Sequence, residues 1–162
     1  MKWGRDHEKE ALDAFHASES EIHEVMSLHE SRLPVSKNGY VAASPDAVMT
    51  CACHGKFAVE VKCPFSLKDD TVTNNRLIST KCDFLLWDAD QERVTLKPKH
   101  KYRTQINSQM ALLGVKQGYF IVWTRKSVWY ELIEFDPKLW HDVSSHLEIF
   151  FQSFLVKHLL NS

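Results

Sequence analysis

The sequence contains no long hydrophobic run and no excess of charge of either sign. No apolar stretch approaches the ~18 residues that a membrane helix requires, and no signal-peptide core follows Met1. The chain has 20 Lys and Arg residues against 21 Asp and Glu residues, for a formal net charge of −1. This balance excludes the global basic field of a protein that coats DNA without specificity. Any nucleic-acid contact must therefore come from a local patch.

Internal repeats, linkers and low-complexity tracts are also absent. The chain has 162 residues, of which 44% are hydrophobic and 25% are charged. That size and composition are typical of one soluble globular domain with a sizeable core. We therefore predict a single domain that spans residues 1–162.

Cysteine is scarce, with four residues at Cys51, Cys53, Cys63 and Cys82. Without an export signal, we expect free thiols in a reducing compartment and an intracellular protein, in the nucleus or the cytoplasm. Cys51, Cys53 and His54 resemble half of a zinc site, but C-x-C is shorter than the usual ligand spacing and no second ligand pair stands out. A turn with small or buried thiols is the preferred interpretation.

Two carboxylates and a lysine lie on a predicted β-hairpin. Apolar and polar residues alternate along 57–63, which predicts a strand with one apolar face. A chain reversal near Cys53 places Asp46 opposite Glu60, with Cβ atoms about 4.5–5.5 Å apart, and Lys62 points to the same face as Glu60. Alternatively, the strand faces water and its two charges are only solvated. The register of Asp46 favours the first interpretation.

The hydrophobic periodicity predicts a mixed sheet flanked by helices, in the order helix, strands, helix, strands, helix. The first helix covers about 4–18 and carries Glu8 beside its apolar stripe. The second helix covers 100–113 and ends at the C-cap Gly114. Strands are predicted at about 24–28, 40–50, 57–63, 84–87, 93–96, 118–124 and 127–135, with a loop and a short helix within 66–82.

Two helix faces carry specific expectations. In the second helix, Tyr102, Gln105 and Gln109 form a neutral hydrogen-bonding stripe that orients water or a phosphate, or else a solvated face.

An amphipathic helix is predicted over 137–160. We expect its apolar residues to pack in the core, with a partner surface as the alternative. They include Trp140, Val143, Leu147, Phe150, Phe151, Phe154 and Leu155.

The hairpin residues suit the hydrolysis of a phosphodiester, which needs a metal to polarise the phosphate, an activated water and neutralisation of the developing charge. Asp46 and Glu60 are predicted ligands of Mg²⁺ or Mn²⁺, because hard cations prefer oxygen donors. The backbone carbonyl near Val61 adds a further predicted ligand. Lys62 is predicted to position or deprotonate the attacking water, or to stabilise the pentavalent phosphorus. Glu8 joins the site as a ligand or through water.

Four ordered motifs resemble the YqaJ-like viral recombinase domain, a relative of lambda exonuclease in the PD-(D/E)XK nuclease superfamily. They are Gly4-Arg5-Asp6-His7-Glu8, Ser44-Pro45-Asp46, Glu60-Val61-Lys62-Cys63-Pro64 and Tyr102-x-x-Gln105-x-x-x-Gln109. The resemblance implies a restriction-endonuclease-like α/β core and Mg²⁺-dependent digestion of DNA, typically of linear duplex from the 5′ end. It also implies a role in recombination or in viral and mobile-element DNA processing, a single-strand annealing protein as a partner, and a homo-oligomer.

The same resemblance assigns roles to individual residues. The implied active-site set is Glu8, Asp46, Glu60, Lys62 and Gln105. The residues near these motifs, apart from the resemblance, give the predicted nucleic-acid contacts Arg5, Ser44, Tyr102, Arg103 and Gln109. Lys101, Arg125 and Lys126 are further basic candidates, or else solvated surface charges. The alternative is an inactive nuclease-fold module that binds nucleic acid or protein; the intact catalytic positions favour the enzyme.

Two departures from the family pattern carry expectations of their own. The family usually has glycine after Ser-Pro-Asp, where this chain has Ala47, so alanine is strained there if the position needs a positive φ. The chain also begins almost at the first motif, as expected of a trimmed or minimal member.

Overall fold

The structure, a computed structural model, describes residues 2–73 and 75–160, so the ends of the predicted domain lie outside the described residues. The helices are α1 (Lys2–Asp6), α2 (Glu8–Glu19), α3 (Ile78–Lys81), α4 (Lys101–Leu113), α5 (Pro137–Phe150) and α6 (Val156–Leu160). The strands are β1 (Ser27–His29), β2 (Ala47–Cys51), β3 (Gly55–Lys62), β4 (Leu85–Asp88), β5 (Arg93–Leu96), β6 (Gln117–Trp123) and β7 (Val128–Glu134). A 3₁₀ turn at Phe65–Leu67 follows β3, and a π-helical turn at Phe151–Leu155 separates α5 from α6.

The main sheet has five strands in the order β1-β2-β3-β6-β7, and β4 pairs with β5 in a separate two-stranded sheet. Strands β3 and β6 run parallel, whereas the other pairs are antiparallel. The apolar run of β6 is buried from Gly118 to Val122, as expected of a strand that is covered on both faces. The predicted mixed α/β fold is therefore confirmed.

Helices α2 and α4 cover opposite faces of this sheet, and the alternation of β3 explains the arrangement. Phe57, Val59 and Val61 pack in the cluster that contains the apolar side of α2. Ala58 packs in the cluster that contains the apolar side of α4. Glu60 lies on the same side as Ala58, so its carboxylate points beneath α4.

Helix α4 lies close to the sheet because Gly118 has no side chain. A Cβ at this position would lie 3.1 Å from the Ala58 carbonyl oxygen and 3.2 Å from Ile106 Cδ1. The helix ends are those that the sequence predicts: His100 accepts a hydrogen bond from the Tyr102 amide at 3.2 Å, and Gly114 has a φ of 68°. The close approach sets the height of the α4 side chains above β3.

The N-terminal half differs from the expected boundaries at two points. The predicted first helix is broken at His7 into α1 and α2. The strand predicted from residue 40 begins only at Ala47, because Pro45 cannot donate to a strand ladder. The helix and strand predictions elsewhere are confirmed within a few residues.

The prediction that the apolar residues of the C-terminal helix pack in the core is wrong. No residue of α5, the π turn or α6 is buried, and Phe150 and Phe154 are 55% and 64% exposed. The reason is that α5 packs on α4, which itself covers the sheet, so the apolar side of α5 does not meet the sheet. No helix within 2–73 and 75–160 has both the length and the apolar character to cross a membrane.

Candidate active site

Asp46 is held at the junction between the incoming loop and β2. Its backbone amide donates to the Val59 carbonyl at 3.0 Å, and its Oδ2 accepts a hydrogen bond from the Val61 amide at 2.6 Å. Strand β2 pairs with β3 in the predicted register, with Ala47 opposite Val59. The hairpin therefore places Asp46 beside the end of β3 that carries Glu60, as predicted.

Ala47 does not need the conformational freedom of glycine. Among the described residues, positive φ outside glycine occurs at Val25 and Glu92, so Ala47 has an ordinary backbone conformation as the first residue of β2. Its side chain is 2% exposed and packs in the core. The departure from the family pattern at this position therefore costs no backbone strain.

Glu60 is buried and surrounded by donors from α4 and its own strand. Its side chain is 1% exposed. The Oε1 atom accepts hydrogen bonds from Gln105 Nε2 at 2.6 Å and from Lys62 Nζ, and Oε2 accepts one from Gln109 Nε2 at 2.6 Å. Three donors compensate the loss of hydration of the carboxylate. The predicted glutamine stripe thus orients a carboxylate.

Lys62 lies between Glu60 and the ring of Tyr102. Its side chain is 21% exposed, and its Nζ lies 4.6 Å from the centroid of Tyr102. This distance is within the range of a cation–π interaction. The carboxylate and the ring together fix the ammonium group at the edge of the site while leaving part of it open to a ligand.

Glu8 enters the site from the first turn of α2, where the helix dipole favours a negative charge. The break before it is fixed by His7, whose Nδ1 lies 2.9 Å from the Trp3 carbonyl oxygen. The His7 ring also packs on Trp3 and Trp123, with centroid distances of 3.7 and 5.2 Å. Through this anchoring, Glu8 lines the same cleft as Asp46.

Burial raises the pKa values of all three carboxylates, Glu8, Asp46 and Glu60. Desolvation is the largest cause in each case, and the charge of Asp46 further raises the pKa of Glu8 and of Glu60. The charge of Lys62 opposes these shifts, and the Val61 amide lowers the pKa of Asp46. Carboxylate oxygens are the ligands that a hard divalent cation prefers.

The cleft has a volume of about 390 Å³ and an aromatic wall that carries cations. Trp3, Phe65 and Tyr102 line it. Each has a basic group over its ring, at 5.1 Å for Arg125, 4.2 Å for Lys68 and 5.6 Å for Lys101. We call these three cations the basic rim; sequence reasoning named Arg125 and Lys101 and missed Lys68.

The predicted nucleic-acid contacts divide into two groups. Arg5 and Tyr102 line the cleft, and Ser44 is exposed next to Pro45 and Asp46. Arg103 instead points to Glu131 of β7, with 3.8 Å between the charged groups.

Gln109 is fully buried, and its Nε2 also lies 3.3 Å from the Ser44 carbonyl oxygen. A buried amide beneath the carboxylate cannot reach nucleic acid. The contact predicted for Gln109 is therefore corrected, because Gln109 supports Glu60. Arg103 is 29% exposed beside Glu131, and its contact with nucleic acid stays a prediction.

Comparison with known proteins identifies a family for most of the chain. Residues 1–116 match the family described as the YqaJ-like viral recombinase domain. No curated protein matches the chain.

Two solved structures superpose well. They are an alkaline exonuclease (LHK-Exo) from Laribacter hongkongensis, with a TM-score of 0.68, and LHK-Exo in complex with dAMP, with a TM-score of 0.69. Each is 20% identical, and the match covers 97% of this chain and 69% of the other. At this identity the likeness shows the fold.

Proposed function

The chain belongs to the YqaJ-like viral recombinase domain family, and from that premise we propose that it is a divalent-metal-dependent nuclease that hydrolyses phosphodiester bonds of DNA. The observation that carries the proposal is the arrangement of Glu8, Asp46 and Lys62 around one cleft, with the buried Glu60 carboxylate bonded to Lys62 directly behind it. They come from a helix, a loop and a strand. A solvated charged face would not bury Glu60 or place Asp46 close enough to raise the pKa of both Glu8 and Glu60.

The donor set fits Mg²⁺ or Mn²⁺. Glu8, Asp46 and Glu60 would hold the ion, with the carbonyl of Val61 as a further proposed ligand. When bound, such an ion polarises the phosphate and lowers the pKa of a coordinated water. Gln105 and Gln109 keep the Glu60 carboxylate in one orientation, and second-sphere donors of this kind tune metal affinity.

Lys62 supplies a positive charge at the cleft from the protein itself, in addition to that of a metal ion. The Glu60 carboxylate and the Tyr102 ring hold its Nζ at the cleft. From there Nζ donates a hydrogen bond to a phosphate oxygen or orients the attacking water. Charge stabilisation of this kind acts mainly where negative charge develops in the transition state.

The surroundings of the cleft suit a DNA strand. Arg5 and the basic rim offer cations for phosphates, and the exposed Phe65 and the half-buried Trp3 offer surfaces on which bases stack. We propose linear duplex DNA as substrate and 5′→3′ exonuclease cleavage as the mode, on the basis of the family. A single-strand annealing partner and a homo-oligomer belong to the same family-based proposal.

The test is digestion of linear duplex DNA that carries a label at either the 5′ or the 3′ end, with Mg²⁺ and with chelator. Asp46→Asn and Lys62→Ala should each reduce the rate by about 100-fold or more. The matched controls Asp142→Asn and Lys157→Ala change exposed residues of α5 and α6 and should cleave like the parent.

The outcomes decide between the alternatives. Release of the 5′ label first supports the exonuclease polarity, and cleavage of a closed circular duplex shows an endonuclease. Metal-independent loss of label, or equal loss with Asp46→Asn, contradicts the proposed site. DNA binding without any metal-dependent cleavage supports the inactive nucleic-acid-binding module.

A further inference from the structure

A second cluster of ligating side chains lies at the opposite end of the β2–β3 hairpin from Asp46. Cys51 ends β2, Cys53 and His54 form the turn, and His23 reaches the turn from the loop that follows α2. Their ligand atoms all lie within 4.8 Å of one another. We propose that these four residues bind one Zn²⁺ ion in a structural Cys₂His₂ site, separate from the nuclease centre.

The distances within the cluster approach those of a zinc tetrahedron. Cys53 Sγ lies 3.5 Å from Cys51 Sγ, 3.3 Å from His23 Nδ1 and 3.1 Å from His54 Nδ1, and the two Nδ1 atoms are 3.3 Å apart. With Zn–S of about 2.3 Å and Zn–N of about 2.0–2.1 Å, a tetrahedral site has edges of about 3.3–3.8 Å. An ion placed between the four atoms therefore requires only small adjustments.

The surroundings of His23 provide a second, independent indication. Its Nε2 lies 3.1 Å from Glu19 Oε2 and 3.2 Å from the Tyr119 hydroxyl, and that hydroxyl donates to the same Glu19 oxygen at 2.8 Å. Glu19 is 4% exposed. Donation from Nε2 to this buried carboxylate leaves the lone pair of Nδ1 pointing toward Cys53 and His54. A carboxylate behind a ligating histidine is the usual outer contact of a zinc site.

The backbone holds His23 over the turn although no strand pairing requires it. The Ala52 amide donates to the Glu24 carbonyl at 2.9 Å. The next residue, Val25, has a φ of 50°, a left-handed conformation that is unfavourable for a β-branched residue. A bound ion would offset this strain by fixing the loop on the hairpin.

The donor set indicates a structural site. Four protein ligands leave no open position for water or substrate, and thiolates with imidazoles favour zinc over the hard cations that suit the carboxylate site. The site would tie the end of α2, whose first residue is Glu8, to the hairpin that carries Asp46 and Glu60. It would thereby hold together the two elements that supply the nuclease carboxylates.

The experiment is metal analysis of the full chain purified without chelator. We expect about one zinc per chain and, after exchange with Co²⁺, the thiolate charge-transfer and d–d bands of a tetrahedral site. The variants Cys53→Ser and His54→Ala change exposed positions and should fold, as circular dichroism will check. Both should lose the metal and the bands, whereas Cys82→Ala and His141→Ala should keep them.

Zinc content also separates this proposal from the nuclease proposal. Asp46→Asn should keep its zinc, because Asp46 is not in the cluster, and removal of zinc from that variant should lower Tm by about 5 °C or more. A parent protein that binds neither Zn²⁺ nor Co²⁺ overturns the zinc site and leaves the nuclease untouched. Retention of the thiolate bands in Cys53→Ser and His54→Ala also overturns it, since the metal would then lie elsewhere.

Discussion

At the residue scale, the site depends on carboxylates whose burial disfavours the charged form. Glu60 is nearly inaccessible, yet both of its oxygens are occupied by donors from Gln105, Gln109 and Lys62. Because Gln109 Nε2 lies between two acceptors, the Glu60 carboxylate and the Ser44 carbonyl, the amide has one preferred orientation. The hydrogen-bond donors around Glu60 are therefore already oriented in the protein without a ligand.

We predict that Gln109→Leu lowers the affinity of the site for Mg²⁺ by about 10–100-fold while the protein stays folded. Leucine preserves the buried volume but removes the donor to Glu60 Oε2. The measurement is the cleavage rate as a function of Mg²⁺ concentration, in which the midpoint should move to higher concentration. Gln152→Leu, on the exposed C-terminal segment, is the control. An unchanged midpoint in Gln109→Leu would show that the hydrogen bond does not position the ligand.

We also predict that the stability of the metal-free protein falls as pH rises from about 4 toward neutrality. The pKa values of Glu8, Asp46 and Glu60 are raised in the folded state. The folded protein therefore holds protons that the unfolded chain has already released, and the stabilisation disappears as pH passes the raised values. Added Mg²⁺ should restore stability at neutral pH.

Asp46→Asn should remove part of this dependence. In chelator at neutral pH, the variant should be more stable than the parent by about 1 kcal/mol, because the repulsion with Glu8 and Glu60 is gone. Urea denaturation at about pH 5 and about pH 8 measures the effect, with Asp142→Asn as control. An equal pH dependence in parent and variant would contradict the assigned cause.

At the scale of elements, the close contact between α4 and the sheet determines whether the glutamines reach Glu60. Gly118 favours this contact because an added Cβ would lie 3.1 Å from the Ala58 carbonyl oxygen and 3.2 Å from Ile106 Cδ1, closer than ordinary van der Waals contact. Helix α4 is otherwise well delimited by its caps at His100 and Gly114. Its position above β3 is thus set by one residue of β6.

We predict that Gly118→Ala destabilises the protein by about 1–3 kcal/mol and reduces nuclease activity more than the loss of stability explains. The added methyl group pushes α4 outward and lengthens the contacts from Gln105 and Gln109 to Glu60. Stability is measured by denaturation, and cleavage is measured at temperatures below the unfolding transition of both proteins. Gly4→Ala, whose added Cβ meets nothing within 4 Å, is the stability control and should change it by less than about 1 kcal/mol. Full activity in Gly118→Ala would contradict the coupling.

Elements also show where sequence reasoning succeeds and where it fails. The hairpin register follows from local alternation, which is why Asp46 could be placed beside Glu60. Helical spacing placed Gln105 and Gln109 on one side of α4, but spacing gives the direction of a side chain and not its depth. The position of His23 beside Cys53 and His54 could not be predicted, because the loop after α2 reaches the turn through contacts distant in sequence.

At the scale of the whole molecule, DNA binding depends on a local patch within a nearly neutral protein. The net charge is −1, and the cations at the cleft are Arg5, Lys62 and the basic rim. Asp69 lies 3.3 Å from Arg125 and 4.0 Å from Lys68, measured between charged groups, and offsets part of this charge. The electrostatic contribution to binding should therefore be modest.

We predict a weak salt dependence of DNA affinity. A plot of log K against log salt concentration should have a slope no steeper than about −4, and Arg125→Gln should reduce its magnitude by about 1. The measurement uses inactive Asp46→Asn and its Arg125→Gln derivative, so that cleavage does not interfere. Lys157→Gln is the control for an exposed cation away from the cleft. A steeper slope, or no change with Arg125→Gln, would place the DNA on a different surface.

The parallel pairing of β3 with β6 has a consequence for the order in which the protein folds. Asp46 and Glu60 are joined by a short hairpin, which forms quickly because its contacts are local. Gln105 and Gln109 are 45 and 49 residues away from Glu60 in sequence, so we expect them to reach it only after α4 and β6 have docked. The two acidic groups therefore meet before their partners do. A divalent cation in the refolding buffer should accelerate the slow step by relieving their repulsion at that stage.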